Sequence, residues 1–65
     1  MIVLAMMCDP DGITRAWAAA PTKPVAEAEA RRQLETYRGE KAKKRDQLAH
    51  ASFHIVFEMF PRLSI

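Results

Sequence analysis

A single cysteine, Cys8, and only two glycines, Gly12 and Gly39, already exclude several classes of protein. One thiol forms no internal disulfide, and no metal-ligand spacing accompanies it. Two isolated glycines cannot build a Gly-rich phosphate loop. No apolar run approaches the ~18 residues of a membrane span. Neither sign of charge dominates, since ten Lys and Arg face eight Asp and Glu for a formal net charge of +2. That excess is too small to imply a nucleic-acid partner by itself. Length is scarce too: a chain of 65 residues buries only about 60% of the surface that its unfolded form exposes. With disulfides and metals set aside, self-association is the common remedy. A homo-oligomer, a dimer as first guess, or a small protein partner is therefore expected.

What is present begins with Ile2-Val3-Leu4-Ala5-Met6-Met7-Cys8, an apolar run that meets Asp9-Pro10-Asp11-Gly12. Asp first, Pro second and Gly fourth suit a type I turn, in which Pro presets φ and Gly accepts the left-handed residue that reverses the chain. The segment after it alternates, with Ile13, Arg15 and Trp17 on one face and Thr14, Ala16 and Ala18 on the other. Residues 1–20 thus read as a β-hairpin. The first strand is apolar on both faces, which fits the middle of a sheet, and the mixed second strand fits an edge. The apolar run is too short for a secretory leader and no basic residue precedes it, so cytoplasmic residence is the expectation, in keeping with one unpaired thiol.

Pro21 and Pro24 end strand pairing, and a helix is predicted over residues 22–48, with Thr22 or Lys23 as N-cap and Pro24 in the first turn. Ala26, Ala30, Leu34 and Tyr37 recur at helical spacing and form its buried stripe. Beyond Gly39 the stripe turns basic, so a helix end or bend is expected there, where glycine costs about 1 kcal/mol relative to alanine. Residues 52–60 alternate Phe53, Ile55, Phe57 and Met59 with His54, Val56, Glu58 and Phe60, and read as a third strand stopped by Pro61. Residues 61–65 form an apolar tail, expected to dock rather than to hang free. The whole is one domain of the α+β class: a small ββαβ unit with a three-stranded, mainly antiparallel sheet of order 2-1-3 and one long helix on one face.

One helix covers one face of such a sheet, so the other should meet another protein surface. Val3, Ala5, Met7, Trp17, Val56 and Phe60 are the residues assigned to that interface, with Ile2, Leu4 and Met6 as the alternative set from the first strand. The second function class is a low-specificity nucleic-acid binder. Arg38, Lys41, Lys43, Lys44 and Arg45 could neutralise phosphates, although Glu40 and Asp46 interrupt them as on an ordinary solvated helix. Trp17 and Tyr37 are assigned to packing rather than to base stacking.

Catalysis has no visible machinery. Asp9 and Asp11 are explained by the turn, and Asp9 disfavours a thiolate at Cys8. His50 and His54 would share a helix face at a spacing of four, yet they fall in a loop and a strand. No enzyme, cofactor or metal site is expected.

Overall fold

The computed structural model describes residues 1–61, so the expected tail falls outside the described residues except for Pro61. The elements are β1 (Ile2–Cys8), β2 (Thr14–Ala20), α1 (Lys23–Lys43), a 3-10 turn at Gln47–Ala49 and β3 (His54–Phe60). The sheet has the order β2-β1-β3, and both neighbours run antiparallel to β1. β2 and β3 therefore point the same way on either side of β1, and α1 is the crossover between them. An all-apolar central strand is what this arrangement requires, because both faces of β1 lie among the side chains of its neighbours.

The hairpin turn is organised by one carboxylate. The amide of Gly12 donates to the Asp9 carbonyl at 2.9 Å, and Gly12 sits at φ 81°, the left-handed conformation that favours glycine. Oδ1 of Asp9 accepts from the amides of Asp11 and Ile13 at 2.9 and 3.0 Å, while Oδ2 accepts from Nε of Arg15 at 2.8 Å. Met7 pairs with Ala16 and Cys8 with Thr14, which leaves Arg15 as the extra residue of a β-bulge.

α1 starts after Thr22, whose backbone is extended and whose side chain makes no cap hydrogen bond. The helix runs through Gly39 and does not end there. One glycine's cost of about 1 kcal/mol is small beside the hydrogen bonds and packing of a long helix. It ends instead at Lys43, five residues short of the expected span. There the amide of Arg45 donates to the carbonyl of Ala42 at 3.1 Å, and that of Asp46 to Lys41 at 2.9 Å, the two bonds of a Schellman motif. Arg45, at φ 56°, occupies the left-handed position usually given to glycine. β3 begins at His54 rather than Ser52. Just before it, the Phe53 ring meets Tyr37 edge-on at 6.1 Å.

The register sorts the sheet residues onto two faces. Val3, Ala5 and Met7, with Ala16, Ala18 and Ala20, are buried under Ala26, Ala30 and Leu34 of α1. This corrects three of the six assigned interface residues, since Val3, Ala5 and Met7 are consumed by the chain's own core. The outward set of β1 is Ile2, Leu4 and Met6. Of the eleven buried hydrophobic residues seven are alanine, whereas Ile13, Trp17, Val25, Val56, Met59 and Phe60 are exposed. Small residues lie inside and large ones outside because alanines at Ala18, Ala26 and Ala30 let helix and sheet approach closely. The core is correspondingly lean in apolar area.

Candidate functional site

The face of the sheet opposite α1 is built in cross-strand rows. Ile2 lies beside Phe60, Leu4 between Ala19 and Glu58, and Met6 between Trp17 and Val56. Neighbours on one face of antiparallel strands stand with Cβ atoms about 5 Å apart, so these rows form a continuous surface. Trp17 is 57% exposed, Phe60 40% and Val56 38%, while the β1 residues between them are half-buried by those neighbours. Glu58 and, at one end, His54 and Thr14 supply its polar groups.

The third strand is only partly covered on its helix side, where Ile55 and Phe57 pack against the margin of the core. α1 packs against β2 and β1 rather than β3. Ile55 and Phe57 are only half-buried, and Met59 is 53% exposed on the helix side. Lys23 partly roofs this margin, with its ammonium 4.5 Å from the centre of the Phe57 ring.

The basic residues divide into two groups. Arg38 is half-buried, donates to the Ala51 carbonyl at 3.0 Å and lies 5.1 Å from the centre of the Phe53 ring, so it ties α1 to the segment leading into β3. Lys41 is half-buried beside the Tyr37 ring at 5.4 Å, with Asp46 at 3.7 Å. These two are structural cations. Lys43, Lys44 and Arg45 are exposed at the helix end, and Lys43 stands 3.7 Å from Glu40.

The remaining candidates for chemistry are dispersed. Cys8 is buried, with its sulfur 3.6 Å from Oγ1 of Thr14. His54 pairs with Cys8 across the sheet backbone, whereas His50 closes the 3-10 turn on a separate segment. Among the described residues no group of three or more His, Cys, Asp or Glu is placed to hold a metal ion. Asp9 is solvent-inaccessible, and the Arg15 guanidinium, then the Ile13 amide, hold its carboxyl below the ordinary value against the opposing effect of burial. The same hydrogen bond to Asp9 holds the Arg15 guanidinium above its ordinary value in turn. Asp9 was legible only as a turn residue. Its partnership with Arg15 depends on the bulge, for which the sequence has no marker. Among the described residues no helix is long and apolar enough to cross a membrane.

Neither a protein-family model nor a curated protein nor a solved structure matches the chain, so its functional reading rests on its own residues.

Proposed function

We propose that this chain is a small oligomeric interaction module that buries its open sheet face against a second copy of itself. The observation that carries the reading is the row Met6–Trp17–Val56, with the only tryptophan of the chain 57% exposed at its edge. Exposed aromatic and aliphatic residues in one continuous patch are the usual anchors of protein interfaces. A second copy is favoured as occupant for two reasons. The lean alanine core leaves the isolated chain short of buried apolar area, and a formal net charge of only +2 opposes self-association weakly.

Low-specificity nucleic-acid binding is the second reading, and the exposure of Lys43, Lys44 and Arg45 is what favours it. It is weakened by the commitment of Arg38 and Lys41 to packing inside the chain.

Sedimentation equilibrium with parallel tryptophan fluorescence separates the two. On the interaction reading the mass rises with concentration, and Trp17→Ala raises the dissociation constant roughly thirty-fold, as for an aromatic interface anchor. Replacing Lys43, Lys44 and Arg45 together by Glu leaves the mass unchanged. A concentration-independent monomer overturns the reading. Duplex or single-stranded probes retarded by the wild-type chain, and not by the triple variant, would favour the second.

A further inference from the structure

We propose that the outer edge of β3 pairs antiparallel with the same edge of a second copy, about a two-fold axis through Val56, joining two sheets into one of six strands. This goes beyond the face contact, because it uses the backbone edge of β3 rather than the open face.

The first support is that this edge carries few of the guards that edges normally have, Glu58 being its one acidic side chain. Exposed strand edges are usually blunted by Lys, Pro, a bulge or short length. β3 has seven residues, His54–Phe60, without Lys, Arg or Pro, and its register with β1 is unbroken from Ile2/Phe60 to Cys8/His54. The opposite edge, β2, carries both Arg15 and the bulge, and α1 packs over it.

The second support is register. A two-fold axis perpendicular to the sheet keeps like faces on the same side, so each residue must meet one of the same face. Centring the axis on Val56 sets His54 opposite Glu58 of the partner subunit twice, once on each side of the paired valines. On the helix side it sets Ile55 opposite Phe57 of the partner subunit and Phe53 opposite Met59 of the partner subunit. Every opposed pair from residues 53 to 59 is then apolar with apolar or His with Glu.

Neighbouring registers do worse. An axis on Phe57 sets Glu58 against a valine and His54 against Phe60. An axis on Glu58 sets two carboxylates together, and one on Ile55 leaves His54 facing a valine. Two carboxylates directly opposed are destabilising, whereas an imidazole can hydrogen-bond the carboxylate opposite it, so the Val56 register is selected.

The third support is space on the helix side. Because α1 lies over β2 and β1, two chains joined at β3 hold their helices apart, with Ile55, Phe57 and Met59 of both copies in the gap. Those residues are half-buried or exposed in the single chain. A two-fold pairing also uses up the edge, so the sheet stops extending at six strands, while the open face of the joined sheet stays free for the face contact.

Sedimentation equilibrium on wild type, His54→Glu and His54→Glu/Glu58→Lys tests this, with circular dichroism as a check on folding. His54 and Glu58 are both exposed, so the fold is expected to survive each change. His54→Glu opposes carboxylates twice across the axis and should raise the dissociation constant about ten-fold, and the double variant should return it to within about three-fold of wild type. Val56→Cys should form a disulfide-linked dimer under mild oxidation and Glu58→Cys should not, because only the first residue faces its own copy. An unchanged constant for His54→Glu, no recovery in the double variant, or faster cross-linking at position 58 than at 56 overturns the pairing. If Trp17→Ala weakens association and His54→Glu does not, the edge fails and the face stands. The reverse result sinks the face alone.

Discussion

The two strands that flank β1 have equal lengths and the same direction, but they end in opposite conditions. On the β2 side, Ala16, Ala18 and Ala20 lie flat beneath α1, and a bulge with its Asp9–Arg15 ion pair closes one end. On the β3 side, Val56, Met59 and Phe60 project where α1 does not reach. The difference is one of side-chain size. Small residues let a helix seat closely, and in this chain they are concentrated where the chain can cover itself. Large apolar residues are concentrated where it cannot. The chain thus has a side that it covers itself and a side that it leaves open.

The strongest way to break this comparison is to remove equal amounts of apolar material from the two sides. Leu34 is buried in the centre of the helix-sheet layer, and Leu34→Ala should cost about 2–5 kcal/mol, enough to threaten folding altogether. Met59→Ala, at an exposed position, should cost no more than about 0.5 kcal/mol in dilute protein. Urea denaturation of both variants checks this. Equal costs would mean that β3 belongs to the intramolecular core.

That sidedness was partly legible in the residues. The two-faced apolar character of Ile2–Cys8 placed β1 centrally, and the stripe Ala26, Ala30 and Leu34 marked the buried helix face. Which of the two β1 faces the helix would take was not legible, because Val3, Ala5 and Met7 and the larger set Ile2, Leu4 and Met6 are both wholly apolar, and the set with more apolar area is the one left facing outward. The choice is made by β2, where only the Ala16, Ala18 and Ala20 face is small enough to admit α1. The end of the helix was illegible for a different reason. The left-handed cap is filled by Arg45, while the glycine that would ordinarily announce it stands six residues earlier.

A smaller break concerns the closed end of the β2 side and is read against pH. The Asp9 carboxyl is held below its ordinary value, chiefly by its hydrogen bond to Arg15. The unfolded chain therefore takes up this proton before the folded one does, and falling pH favours unfolding. The contribution is complete above the ordinary carboxylate range and disappears as pH falls through the depressed folded value. Denaturation midpoints taken between pH ~7 and ~2 should show a steeper acid loss in wild type than in Asp9→Asn, which has no such proton to gain. Parallel profiles would remove the ion pair from the account of why this side is closed. Association through β3 should respond to Asp9→Asn far less than folding does.

The smallest effect sharpens the comparison at the far end of α1. Gly39 is exposed within the helix, and a Cβ built there meets nothing within 4 Å. Its φ is not in the left-handed region, so no backbone requirement of this fold calls for glycine. Gly39→Ala should then stabilise the chain by about 0.5–1 kcal/mol through the restricted unfolded state and better helix propensity. Its dissociation constant should stay unchanged, because the surfaces assigned to association lie on the sheet. Thermal melts and sedimentation on the same samples measure both quantities. A stabilised chain that associates as before leaves the working surface on β3 and the open face. A chain that gains stability but loses association would mean that a second molecule approaches the helix backbone at Gly39. The unfinished side would then be the helix end, where the exposed Lys43, Lys44 and Arg45 stand, rather than the sheet.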